Sequence, residues 1–198
     1  MKIIKTEYLI KKGVFSGSKE FKNILSETYD AIQSITWPDG SDNFTLFPKK
    51  KANGVVPIKK NFVKYLEDKG WKIEYRMKIA SRLRPGPVDA VKFLPKNRYF
   101  AVEWETGNIS SSHRALNKMA IGLLDGIIEG GILILPSRDM YQYLTDRVGN
   151  FAEIEPYFNV WKNLQLSKGL LAVIEIEHDE LSKNVPPIRK GTDGRALV

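Results

Sequence analysis

Apolar residues recur at helical spacing in three long stretches of the chain. Residues 18–35 and 57–70 each carry such a stripe, and turn-forming residues close both of them. The clearest stripe covers residues 112–128, where Ser110-Ser111-Ser112 supply candidate N-caps and Gly130-Gly131 a stop signal. We therefore predict three main helices.

Alternating or continuous apolar runs predict the strands. Residues 88–93 and 99–105 are β-prone and joined by Pro95-Lys96-Asn97-Arg98, which predicts a hairpin. Ile132-Leu133-Ile134-Leu135 is apolar throughout, as in a strand covered on both faces. Further strands are predicted at 44–47, 71–75 and 170–177, and short helices at 140–145 and 151–158. This order predicts an α/β fold with a mixed central β-sheet flanked by helices.

The composition narrows the class of protein. The 198 residues suit a single domain over 1–198, ending in a Pro/Gly-rich tail at about 182–198. No apolar run reaches membrane-span length and the N-terminus lacks signal-peptide features, so we expect a cytoplasmic protein without a membrane partner. With no cysteine and two histidines, any metal is expected to have oxygen ligands. The net charge of +8 favours a polyanion, although charge alone does not choose between DNA, RNA and anionic membrane.

Three acidic residues lie near the end of the predicted hairpin. Asp89 is on its first strand, and Glu103 and Glu105 alternate with Trp104 on its second, so their side chains share one face. Close carboxylates repel unless a proton or a cation neutralises them, and carboxylate oxygens suit Mg²⁺. Glu74, on the preceding strand, is a candidate further member. The alternative is a group of strand-end charges without function.

Such a cluster can support phosphodiester hydrolysis. The reaction needs a neutralised phosphate, a deprotonated water and a stabilised leaving oxygen, which two carboxylate-bound cations supply. Asp89 and Glu103 suit metal ligation, and Glu105 is placed to accept a proton from water. A glycosidase also uses two carboxylates, but a charge of +8 suits a neutral sugar poorly.

Polar residues after the hairpin have the chemistry for DNA contacts. Asn108, Ser110, His113 and Arg114 surround the start of a helix, where free N–H groups favour phosphate. Ordinary capping and a structural histidine are the alternatives. Asp146-Arg147 pairs an acceptor for cytosine with a donor for guanine, or else forms a surface ion pair.

Read together, these segments resemble the BamHI family of type II restriction endonucleases. The resemblance runs from about residue 53 to 194 and is weak before it. It rests on Asn53-Gly54-Val55-Val56-Pro57-Ile58-Lys59, Gly86-Pro87-Val88-Asp89, Glu103-Trp104-Glu105-Thr106-Gly107-Asn108-Ile109-Ser110-Ser111, His113-Arg114, Asn117-Lys118, Tyr143-Leu144-Thr145-Asp146-Arg147-Val148, Glu155-Pro156-Tyr157-Phe158 and Lys190-Gly191-Thr192-Asp193-Gly194.

The resemblance implies a homodimeric enzyme that cuts double-stranded DNA at the palindrome GGATCC. It implies a restriction-endonuclease-like fold of the PD-(D/E)xK superfamily with Glu105 in place of the usual Lys, and Mg²⁺ as cofactor, two ions per active site. Glu105 matches the family's favoured general base. The matching metal ligands are Glu74, Asp89, Glu103 and the carbonyl of Trp104. The matching DNA contacts are Lys59 near phosphate, Asn108, Ser110, Arg114, Asp146, Arg147 and Asp193 on bases, and Gly194 in the minor groove.

The chain departs from the family's namesake in a few places. Trp104 replaces a Phe, the Glu74-to-Asp89 segment is shorter, and Arg195 replaces a Met before an early C-terminus. Glu74 and the minor-groove contact are the assignments affected. Two alternatives stay open: a nuclease of this fold with another site, and a DNA-binding protein that does not cut. The first predicts changes at the base-reading positions and the second predicts loss of an acidic residue, and the sequence has neither.

Overall fold

The computed structural model describes residues 1–80, 85–145 and 148–190. Its strands are β1 (Lys2–Lys12), β2 (Thr45–Leu46), β3 (Lys72–Arg76), β4 (Pro87–Leu94), β5 (Arg98–Trp104), β6 (Gly130–Pro136), β7 (Gly169–Glu177) and β8 (Glu180–Leu181). Its α-helices are α1 (Lys19–Gln33), α2 (Val56–Asp68), α3 (Ile109–Leu124), α4 (Arg138–Tyr141), α5 (Phe151–Ile154) and α6 (Phe158–Lys162). Short 3₁₀ turns at Val14–Gly17 and Glu155–Tyr157 complete the described elements.

Six strands form one mixed sheet in the order β1-β7-β6-β5-β4-β3. The central strands β5, β6 and β7 are parallel, and the outer pairs are antiparallel. Helices α1 and α2 pack on one face, and α3, α5 and α6 on the other. The predicted mixed central sheet with flanking helices is confirmed.

The β6 strand is buried on both faces, as its composition predicted. Ile132 and Ile134 belong to the core under α1 and α2, whereas Leu133 and Leu135 belong to the core under α3. Since side chains alternate along a strand, one apolar run supplies both cores. The adjacent strand β5 is thereby fixed inside the sheet, with the acidic residues at its end.

The N-terminal strand β1 was not predicted from the sequence. Only Leu9 and Ile10 of this edge strand are buried, and its pairing with β7 has two register shifts. Both features weaken the alternation by which strands are recognised.

The predicted C-terminus of the long helix was wrong. The helix α3 ends at Leu124, and Gly126 adopts a φ of 67° just beyond it, so Gly126 is the stop signal. Gly130 and Gly131 instead begin β6, where a side chain would collide with Phe100 or Met119. Within the described ranges, no helix is long and apolar enough to cross a membrane.

Candidate active site

Three acidic residues form a row across the strands β3, β4 and β5. Ile73 pairs with Ala90 and Tyr75 with Val88, which places Glu74 opposite Asp89. Ala90 pairs with Val102, and the same register places Asp89 opposite Glu103. The predicted adjacency of Asp89 and Glu103 is confirmed.

Asp89 and Glu103 are linked through the backbone of their strands. The Asp89 N–H donates to Glu103 Oε2 at 3.2 Å, and the Trp104 N–H donates to Asp89 Oδ2 at 2.8 Å. The Trp104 ring packs on Phe62 at 4.8 Å between centroids, in the core on the opposite face. The predicted orientation of Trp104 is therefore confirmed, and the ring does not occupy the space beside the carboxylates.

The Lys59 ammonium lies between two of the three carboxylates. Its Nζ is 2.5 Å from Asp89 Oδ1 and 3.4 Å from Glu74 Oε1. Burial alone lowers the pKa of Lys59, but the charges of Asp89 and Glu74 raise it overall. Glu74 has a left-handed backbone (φ 49°) and an exposed side chain. Its ion pair with Lys59 connects it to Asp89, which the same ammonium contacts.

A second lysine, Lys118, approaches the row from α3, which packs on the face of the sheet opposite to α2. Its Nζ lies 3.8 Å from Glu103 Oε1 and donates to the carbonyls of Gly86 and Pro87 at 2.9 and 3.1 Å. Burial lowers the pKa of this ammonium. The sequence alone did not indicate a role for Lys118. Its position two residues after Leu116, off the apolar stripe of α3, gave no signal that it faces an acid.

Burial disfavours the ionised forms of the paired carboxylates Asp89 and Glu103. It raises the pKa of Glu103 to about 7, with a further contribution from the charge of Asp89. Burial also raises the pKa of Asp89, although Lys59 and the Trp104 N–H favour its ionised form. In the described ranges, no three Asp, Glu or His side chains form a ready metal-binding group. The oxygen donors still suit a hard divalent cation, because the two adjacent acids repel each other and a cation offsets that repulsion. The Lys59 ammonium already has this effect beside Asp89.

Glu105 is buried and held by two donors. The Gly107 N–H donates to its Oε1 at 2.6 Å, and the Ser112 hydroxyl donates to its Oε2 at 2.5 Å. Burial raises the pKa of Glu105, and these two hydrogen bonds act in the opposite direction. From the sequence, Ser112 was predicted only as a candidate cap. Its place on the buried stripe with Leu116 and Met119 is the signal that it points inward.

The acidic residues face a cleft of about 930 Å³ beside the start of α3. Asn108, not one of the serines, is the N-cap of α3, so the predicted serine cap was wrong. His113 packs edge-on against Tyr157 at 4.6 Å between centroids, which fits the structural alternative for this histidine. The predicted site residues that line the cleft are Lys59, Glu74, Asp89, Glu103, Trp104, Glu105, Ser110 and Arg114.

Four predicted DNA contacts, Asp146, Arg147, Asp193 and Gly194, lie outside the described residues. The segments leading to them meet at Asn53, which is fully buried. Its Nδ2 donates to the carbonyls of Phe47 and Tyr143 at 3.0 Å, and its Oδ1 accepts from the Ile188 N–H at 3.2 Å. Asn53 therefore joins the segments before residues 146 and 193, a function that sequence analysis did not assign.

The fold is that of a restriction endonuclease. The structure matches a crystal structure of restriction endonuclease BglII complexed with a DNA 16-mer, with a TM-score of 0.65 and 12% identity. The match covers 90% of this chain and 79% of the BglII chain.

The sequence identifies the family within this fold. Residues 1–195 match the family described as restriction endonuclease BamHI. The chain is 53% identical over 197 residues to the type II restriction enzyme OkrAI of Oceanobacter kriegii, with 100% of both covered. It is 38% identical to the type II restriction enzyme BamHI of Bacillus amyloliquefaciens, covering 92% of this chain and 87% of BamHI. The chain belongs to the BamHI family of type II restriction endonucleases, which are site-specific deoxyribonucleases.

Proposed function

We propose that this protein is a Mg²⁺-dependent type II restriction endonuclease that cuts double-stranded DNA at GGATCC. The observation that carries the proposal is the row of Glu74, Asp89 and Glu103, which faces the same cleft as Glu105. The charge of +8 suits a DNA substrate. Every base-reading position that the family resemblance assigns holds the expected residue.

Asp89 and Glu103 would hold the divalent ions, with Glu74 and the Trp104 carbonyl as further ligands. Bound Mg²⁺ lowers the pKa of a coordinated water and neutralises charge on the phosphate. The Lys59 ammonium now bonds to Asp89 Oδ1, so it competes with an ion for that oxygen. A DNA phosphate in the cleft would give Lys59 an alternative anionic partner.

Glu105 accepts the proton of the attacking water in the proposed reaction. Both of its oxygens are hydrogen-bonded, by the Gly107 N–H and by Ser112. A carboxylate can accept about four hydrogen bonds, so Glu105 keeps acceptor capacity for the water. Its raised pKa makes Glu105 a stronger base than an exposed glutamate.

Base recognition is assigned to residues around the cleft and to two segments outside the described ranges. Arg147 would donate two hydrogen bonds to guanine and Asp146 would accept one from cytosine. Asn108, Ser110 and Arg114 lie on the exposed side of the start of α3, where they are accessible to a duplex. Asp193 and Gly194 complete the proposed set of contacts.

Digestion of a sequenced plasmid tests activity and specificity together. With Mg²⁺, we expect double-strand cuts at every GGATCC and nowhere else, with mapped ends that also give the cut position. Regular cuts at another sequence would establish a nuclease of the same fold with a different site. Intact DNA that is nevertheless retarded in a gel would indicate a DNA-binding protein that does not cut.

Lys59→Ala is expected to weaken binding to cognate and non-cognate DNA alike. If Lys59 moves to a phosphate, its loss should reduce the slope of log K against log salt by about 1. Fluorescence anisotropy in Ca²⁺ at several salt concentrations measures this slope. Lys60→Ala is the matched control, because this substitution removes the same charge from an exposed position of α2. A loss confined to the cognate duplex would contradict the phosphate assignment.

We also propose a two-fold homodimer, because a palindrome presents the same chemistry on both strands. Exposed apolar side chains occur on α3 and on the segment after α5: Ile121, Leu124 (52% exposed), Tyr157 and Val160 (61% exposed). His113 of α3 packs on Tyr157, so the start of α3 adjoins this segment. A self-complementary apolar patch is what a two-fold interface requires. The alternative is that these helices simply cover the sheet.

Leu124→Arg is expected to weaken this dimer, because it places a charge in the apolar interface. Sedimentation at about micromolar concentration should show the wild type near twice 22.6 kDa and the variant shifted towards the monomer. Val14→Arg adds the same side chain at a 93% exposed position and should leave the dimer intact. A wild type that is monomeric both free and on a GGATCC duplex would refute the symmetric arrangement.

A further inference from the structure

We propose that Ser112 is a positioning residue that holds the Glu105 carboxylate in its reactive orientation; this inference rests on the proposed role of Glu105. The Ser112 hydroxyl donates to Glu105 Oε2 at 2.5 Å. Ser112 is fully buried and Glu105 is 6% exposed, so bulk solvent has little access to this hydrogen bond. A hydrogen bond to a carboxylate in a buried setting is among the stronger hydrogen bonds in proteins.

The hydroxyl of Ser112 is not needed for the helix. Asn108 caps α3, with its side chain accepting from the Ser111 N–H. Ser112 lies on the buried face of the first turn, in line with Leu116 and Met119, where an apolar residue is the ordinary choice. A buried hydroxyl is costly without a partner, and Glu105 is the partner that this one has.

Two donors on different elements control the orientation of the Glu105 carboxylate. The Gly107 N–H holds Oε1 from the loop after β5, and Ser112 holds Oε2 from the helix α3. One donor alone would leave the carboxylate free to rotate about its terminal torsion, which is a soft one. With both donors in place, the remaining lone pairs keep a fixed direction, which proton transfer from a bound water requires.

Gly149 lies next to both residues that donate to Glu105, Gly107 and Ser112. Its N–H donates to the Gly107 carbonyl at 2.8 Å, and a Cβ at this position would lie 2.4 Å from Ser112 Oγ. The absence of a side chain at Gly149 therefore leaves the space that the hydroxyl occupies. A methyl group there would push the hydroxyl out of its present position.

The test compares Ser112→Ala with wild type in single-turnover cleavage at saturating enzyme. We expect a rate loss of about 10-fold, because one charge-assisted hydrogen bond to the base is removed. Binding of the cognate duplex in Ca²⁺ should stay within about twofold, since Ser112 is buried away from DNA. Gly149→Ala, which displaces the hydroxyl without removing it, should also slow cleavage.

Two comparisons separate positioning from a general structural effect. Ser111→Ala makes the same change one residue away, and it should cleave at the wild-type rate. In a Glu105→Gln background, Ser112→Ala should cause little further loss, because the two side chains act as one unit. A Ser112→Ala rate within twofold of wild type, or a full additional loss in the Glu105→Gln background, would overturn the role of Ser112. A wild type that cuts no DNA would instead overturn the proposed function.

Discussion

Asp89→Ala and Glu103→Ala are each expected to abolish cleavage while retaining DNA binding. The two carboxylates are adjacent across β4 and β5, and Glu103 carries a pKa raised to about 7 by burial and by Asp89. A divalent cation relieves this repulsion, and each alanine removes one of its ligands. We expect rates below about one-thousandth of wild type, because a catalytic metal contributes several kcal/mol to the barrier. Single-turnover cleavage with Mg²⁺ and anisotropy binding with Ca²⁺ measure the two properties separately.

The control for these variants is Glu67→Ala, which removes an exposed carboxylate from α2 and should cleave normally. Chelation by EDTA should stop wild-type cleavage. Ca²⁺ should permit binding without cutting, since its coordination is looser and it activates water less. Cleavage that persists in EDTA, or an Asp89→Ala variant that cuts at the wild-type rate, would refute a metal-dependent site at this row.

Glu105→Gln is expected to slow hydrolysis by about 10² to 10⁴ with little loss of DNA binding. The amide keeps the shape of the side chain, but it cannot accept the proton of the attacking water. The substitution does not alter Asp89 or Glu103, so their charges stay in place. Single-turnover rates across a range of Mg²⁺ concentrations measure the effect.

The Mg²⁺ dependence distinguishes a base from a metal ligand at position 105. Loss of a base lowers the maximal rate and leaves the half-saturating Mg²⁺ concentration near that of wild type. Loss of a ligand raises that concentration, and excess Mg²⁺ then restores part of the rate. A Glu105→Gln variant within about tenfold of wild type at all Mg²⁺ concentrations would assign the base to another group.

Local sequence patterns predicted most of the fold. The apolar run of β6 predicted a strand covered on both faces, and the hairpin of β4 and β5 followed from two β-prone runs and their connection. The hairpin in turn predicted that Asp89 and Glu103 are neighbours. These predictions were correct because the side-chain period and the turn residues act over a few residues.

The errors came from features that depend on tertiary packing. The edge strand β1 buries only the consecutive residues Leu9 and Ile10, so it lacks a strong alternation of buried and exposed positions. Gly126 and Gly130-Gly131 are equally plausible helix stops in sequence. The structure decides between them, because the later pair is needed where Phe100 and Met119 approach the backbone of β6.

The sequence by itself determined most of the elements, the family and the acidic residues of the candidate site. Only the tertiary structure decided what those acids contact: Lys59 of α2 bonds to Asp89, Lys118 of α3 approaches Glu103, and Ser112 bonds to Glu105. Each contact joins residues on different elements, and its length depends on how two helices seat on the sheet. Periodicity fixes which face a side chain takes, whereas close packing of distant segments fixes its partner.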